Sequence, residues 1–156
     1  NELRVKKGLD VPISIQLLFI ILKPLLEGKK CITGGQYINY NSITYLDGEL
    51  IDYLGGWCVC MPQQFIVELK GVMNGEVFME AMGQGYFEDV LLSFIAKRVL
   101  GYELIAPMPN SLNHIGGQTL NAQSANIAAL TQRNQQIFRD TVRNICAARG
   151  IKLGVV

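Results

Sequence analysis

The chain has 156 residues, 49% apolar and 17% charged, with 14 basic against 13 acidic side chains. A chain of this length can bury roughly two-thirds of the surface its unfolded form exposes. Disorder is thereby excluded as the dominant state, and a single domain over residues 1–156 is expected. The charged fraction lies below the roughly 25% of an average soluble domain. A net charge of +1 leaves no electrostatic footprint for nucleic acid or an anionic membrane, so no direct nucleic acid binding is expected. Such a surface favours association over dispersal.

Alternating apolar and polar residues from Leu3 to Lys7 predict a short edge strand, ended by Gly8 and by Asp10 to Pro12. The apolar run from Val11 to Leu26, broken by Pro12, Ser14, Gln16, Lys23 and Pro24, falls short of the ~18 residues of a spanning helix, and no transmembrane span is expected. It follows a basic stretch as the core of a secretory signal does, but Gly28 leads straight into Lys29 and Lys30 with no small-residue cleavage site, so it reads as a structural segment. Between Ile13 and Leu26 nearly every helical face is apolar, which predicts a helix buried in the core or against a partner. Pro24 is expected to bend it or to end it at Lys23.

From Cys31 to Ala81 glycine-bearing turns separate runs rich in Ile, Val, Tyr and Phe, the pattern of a β region. Asp47-Gly48, between Ser42–Tyr45 and Glu49–Ile51, and Asn74-Gly75, between Phe65–Met73 and Glu76–Met82, are both dipeptides preferred in two-residue hairpin loops. In the second hairpin Phe65, Val67 and Leu69 would share the buried face. Trp57 to Met61 carries no charged or amide side chain and predicts a central strand buried on both faces. Phe87, Val90, Leu91, Phe94, Ile95 and Val99 recur at helical spacing, Tyr102 to Ala106 suits another strand, and Pro107 to Gln123 forms a polar connection. A last helix is expected from near Ser124 to Arg149, striped by Ile127, Leu130, Ile137, Phe138, Val142, Ile145 and Cys146 and stopped by Gly150. Ile151 to Val156 would return to a sheet edge or reach a neighbouring molecule. The expected fold is α+β: an antiparallel sheet of about five strands, built from hairpins, with two or three helices packed on it.

Four cysteines, Cys31, Cys58, Cys60 and Cys146, lack the spacing of a secreted disulfide scaffold. Reduced, mostly buried thiols are expected, and with them a cytosolic or particle-interior setting. Cys58 and Cys60 share one face if they lie on a strand. Partnered by His114, the only histidine, either could serve a thiol enzyme or redox protein. No C-x-x-C and no set of zinc ligands accompanies them, and small buried hydrophobes are the simpler account. Asp47, Glu49 and Asp52 cluster as calcium ligands do, but without the spacing of an EF-hand loop. Glu88 and Asp89 sit near a helix start, where negative charge needs no catalytic explanation. No Walker A, dinucleotide, HExxH or GxSxG motif occurs.

Gly34-Gly35-Gln36-Tyr37-Ile38-Asn39-Tyr40-Asn41-Ser42 and Gly116-Gly117-Gln118-Thr119-Leu120-Asn121-Ala122-Gln123-Ser124 share one pattern. The tripeptide resembles the Gly-Gly-Gln motif of peptide release factors, where the glutamine helps to position the attacking water. The basic flanks that hold ribosomal RNA are absent here and the motif occurs twice, so turns that need positive φ account better for the glycines. Residues 110–136 hold no acid and no lysine, which suits a polar contact between identical copies. The sequence therefore leads to no catalytic, metal or cofactor site. It leads to a non-catalytic structural subunit acting by contact with copies of itself or with other subunits, as in a virus or phage particle or a secretion apparatus. The alternatives are the thiol enzyme and a small-molecule binding module with a pocket between helix and sheet.

Overall fold

The computed structural model describes residues 13–39, 45–56, 58–83, 86–107 and 127–154. The fold is α+β. The elements run α1 (Ile13–Leu26), β1 (Cys31–Gly34), β2 (Tyr37–Ile38), β3 (Tyr45–Leu46), β4 (Glu49–Leu50), β5 (Tyr53–Leu54), β6 (Val59–Cys60) and α2 (Gln63–Val72). A 3-10 turn (Glu80–Met82), α3 (Glu88–Phe94), a π-helical turn (Ile95–Val99), β7 (Glu103–Ile105) and α4 (Ile127–Arg149) complete the order. The expected strand at Leu3 to Lys7 lies outside the described residues.

In place of one antiparallel sheet of about five strands, the described residues form three small ones. The largest has order β6-β1-β7, and the pairs β2-β5 and β3-β4 stand apart from it. β1 pairs antiparallel with β6 and parallel with β7, Ile32 lying opposite Leu104. A parallel partner seven decades of residues away in the chain leaves no local signature, whereas a hairpin does. The Asp47-Gly48 hairpin is present, with Tyr45 opposite Leu50 and φ of 48° and 90° at the two turn residues. The expected central strand at Trp57 to Met61 is corrected: β6 is an edge strand with Cys58 and Cys60 half-buried, and β1, buried throughout, takes the centre. Gly34 lies where a β-carbon would meet the Cys58 carbonyl oxygen at 3.0 Å and Leu54 Cβ at 3.2 Å, so close backbone approach, not positive φ, requires glycine there.

The second expected hairpin is also corrected. Pro62 precedes α2 with extended backbone, and Phe65, Leu69 and Met73, spaced by four, are buried while Val67 is 59% exposed. Phe65, Val67 and Leu69 fit a period of two only because Phe65 and Leu69 also fit a helical turn. Asn74 and Gly75 do adopt positive φ, of 53° and 99°, but as the stop of α2, with Gly75 N–H donating to the Lys70 carbonyl at 2.8 Å. Residues Glu80 to Met82 then form the 3-10 turn, not a returning strand.

The core is organised around α3 and the π turn, where Val90 through Ala96 are all buried. β5 and α4 pack on α3, while α2 and β7 pack on the π turn. α4 contributes Phe138, Val142 and Cys146, and Phe138 stacks on Phe87 with ring centroids 5.5 Å apart. Gly150, φ 65°, ends α4 while Ile151 N–H donates to the Cys146 carbonyl at 2.9 Å. Ile151 and Leu153 then pack on the core without forming a strand.

α1 lies against β1. Pro24 bends no boundary back to Lys23, since helix persists to Leu26. The proline stands in the last turn, where it removes one N–H from the ladder, the donor toward the Ile20 carbonyl, and the helix ends two residues later. Contrary to full burial in the core, only Ile21 and Pro24 are buried among its described side chains.

Leu69→Ala is expected to lose about 2–5 kcal/mol of unfolding free energy in urea, and Val67→Ala no more than about 0.5 kcal/mol. Comparable losses at both positions would restore the strand assignment.

Candidate functional site

Among the described residues, no group of three or more His, Cys, Asp or Glu side chains is placed to hold a metal ion. Asp47, Glu49 and Asp52, candidates for calcium by sequence, each face a cation from another element. Arg143 of α4 donates through Nε and Nη2 to Asp47 at 2.8 and 2.7 Å. Arg98 reaches Glu49 at 3.3 Å, and Lys97 donates to Asp52 at 2.8 Å. Tyr37 Oη also donates to Asp52. Lys97 and Arg98 both stand on the π turn, so the three pairs tie the β3–β4 hairpin and its exit to the helical layer.

The four cysteines are free. Thr33 lies opposite Cys60, and Gly35 N–H donates to the Cys58 carbonyl at 3.0 Å. Burial pushes the thiols of Cys31, Cys60 and Cys146 up, the direction opposite to that of an activated thiolate. His114 and the second Gly-Gly-Gln copy lie outside the described residues, as does most of the amide-rich tract.

Two surface features remain. The first is a cleft of about 580 Å³ between β5, β6 and the start of α3, with Gln36 of the first Gly-Gly-Gln copy on its wall. Ile38, Val59, Phe78 and Phe87 supply apolar lining, and Glu88 and Asp89 supply two carboxyls. Asp89 is occupied structurally: Oδ2 accepts from Gly56 N–H at 3.1 Å and Oδ1 from Val90 N–H at 2.9 Å. One turn on, Ser93 Oγ accepts from Leu54 N–H at 3.1 Å. Together they pin the β5 exit to α3, and Gly56 is needed because a β-carbon there would lie 3.1 Å from that of Asp89. Burial pushes both carboxyls up, Asp89 against the pull of its backbone hydrogen bonds and Glu88 with a further push from Asp89.

The cleft wall includes a strained step. Tyr86 and Phe87 are consecutive non-glycine residues with left-handed backbone, φ 47° and 81°. Each such residue costs of order 1–3 kcal/mol. Stacking of Phe87 on Phe138 and the approach of Asn134 Nδ2 to the Tyr86 carbonyl, at 3.5 Å, hold the step from α4. Asn134 is a buried polar residue within the α4 stripe. Its place four residues from both Leu130 and Phe138 is the one sequence signal for it, and the polar residues that flank it, Thr131 to Gln136, mask that signal.

The second feature is the outer face of α1. Ile15, Leu18, Phe19 and Leu26 are exposed, Leu18 by 48% and Leu26 by 71%, and Leu22 is half-buried between them. Spacings of three, four and seven put these five on one stripe. Ile21 and Pro24, buried, lie away from this stripe, Ile20 beside them is 36% exposed, and α1 as a whole lies against β1. Among the described residues no helix is long and apolar enough to cross a membrane. Comparison with protein-family models, curated proteins and solved structures finds no match.

Hydrogen bonding to Arg143 holds the Asp47 carboxyl below the usual carboxylate range. The folded state therefore binds fewer protons there than the unfolded chain. Stability from this pair is present above the ordinary carboxylate value and is lost as pH falls through the lowered one. In acid-unfolding profiles Asp47→Asn should flatten that part of the slope, and an unchanged slope would show that the pair is not linked to folding.

Proposed function

We propose that the chain is a non-catalytic subunit of a larger homomeric or mixed assembly, of the kind that builds a virus particle or a secretion apparatus, and that α1 is its contact helix. The observation that carries this reading is the outward stripe of Ile15, Leu18, Phe19, Leu22 and Leu26. α1 lies against β1, and among the described residues no element covers its other, apolar side. A contiguous stripe of large apolar side chains marks an interaction face more strongly than scattered ones do. Its spacing matches the seam by which one helix packs on another.

Charge supports copies of the same chain as the partner. Within α1 the only ionisable side chain is Lys23, and the net charge is +1, so identical subunits meet with little repulsion. Thiol chemistry draws no comparable support, because burial raises the Cys60 thiol. Nor does hydrolysis by the Gly-Gly-Gln segment: Gly34 is consumed by packing against Leu54 and the Cys58 carbonyl.

Light scattering over a concentration series tests the reading. The unaltered chain should gain mass with concentration, and Leu18→Glu with Phe19→Lys should hold it at one chain while circular dichroism stays unchanged. A monomer throughout, or a variant that associates as the parent does, would exclude α1 as the contact.

A further inference from the structure

We propose that the cleft beside α3 binds a small organic cation with an apolar body, such as an aryl or alkyl ammonium, with the Glu88 carboxylate as its counter-charge. The site is separate from α1 and does not depend on the assembly reading.

The volume, about 580 Å³, falls within the range of small-molecule sites. Ile38, Val59 and Phe87 give such a ligand an apolar wall, and Tyr53, Phe78 and Tyr86 add aromatic rings to the lining. Rings of this kind attract cations electrostatically through their quadrupole. The lining is asymmetric in charge. Among the described residues on its wall stand two acids and no lysine, arginine or histidine, whereas Asp47, Glu49 and Asp52 all meet a cation within the chain. Of the two acids, Asp89 spends both oxygens on backbone N–H groups of itself and of other residues, whereas among the described residues Glu88 meets only its own N–H, which makes Glu88 the carboxylate for a ligand. Its desolvation is unfavourable for the charged form, and a bound cation relieves that penalty. The left-handed step at Tyr86 and Phe87 sets Tyr86 beside Glu88 on the wall, a strain of the sort found at ligand clamps.

Titration of the full chain with three probes of similar shape, followed by amide chemical shifts, tests the proposal: phenyltrimethylammonium, benzyl alcohol and benzoate. Phenyltrimethylammonium should shift the amides of residues 86–90 and bind at least about tenfold more tightly than benzyl alcohol, with benzoate weakest. Glu88→Gln should bring the ammonium down to the level of the alcohol and leave alcohol binding unchanged, which shows at once that the variant is folded and its apolar wall intact. Thermal stability of that variant should equal or exceed the parent's, since a partly desolvated charge has gone. Equal affinity for ammonium and alcohol, tighter binding of benzoate, shifts centred away from residues 86–90, no shift at about 10 mM probe, or an ammonium affinity indifferent to Glu88→Gln would each overturn it.

Discussion

Burial of Val90 through Ala96 on every side of one short helix is the constraint from which the remaining architecture follows. A helix apolar all round is stable in water only when other elements enclose it, and here β5, α2, β7 and α4 do so together. The backbone hydrogen bonds of that helix are satisfied within itself, widening to the π turn at Ile95 to Val99, where Leu100 N–H reaches the Ile95 carbonyl. That widening places Lys97 and Arg98 opposite Asp52 and Glu49. At the other end Asp89 and Ser93 take backbone donors from Gly56 and Leu54. One enclosed helix thus sets the position of the hairpin, the cleft and the sheet edge.

α1 presents the opposite case. It is at least as apolar as α3, yet the core around Phe65, Phe94, Ile95 and Phe138 is already filled, and packed interiors do not admit an additional row of side chains. The chain seats one side of α1 on β1 and leaves the other outward. Among the described residues nothing covers that outward side, and the proposed subunit contact rests on it. The cleft meets a different need: its walls are preset by hydrogen bonds from α3, so a ligand there need not reorganise the backbone.

The extent to which the fold could be read from the chain follows the range of the interactions involved. α1, the Asp47-Gly48 turn, the Phe87–Val99 helix, the strand within Tyr102–Ala106 and the Gly150 stop all declare themselves within a few residues, through periodicity or turn chemistry. α2 reads as a strand because Phe65 and Leu69 satisfy both periods, and only the exposure of Val67 decides between them. The centrality of β1 depends on β7, a pairing that no local pattern announces. The cleft was least legible of all. Glu88 and Asp89 read as ordinary helix-start acids, and what separates them, the Gly56 donor on Asp89 and an apolar wall beside Glu88, arises only once β5 and β6 are in place.

Hydrogen exchange measured at two protein concentrations probes most directly the contrast between the enclosed helix and the half-covered one. Amides of residues 90–96 should exchange only through global unfolding at either concentration, while those of residues 15–26 should exchange by a lower-energy opening when dilute and gain protection as the concentration rises. Protection of α1 at the global level in the dilute sample, unchanged on concentration, would contradict the account.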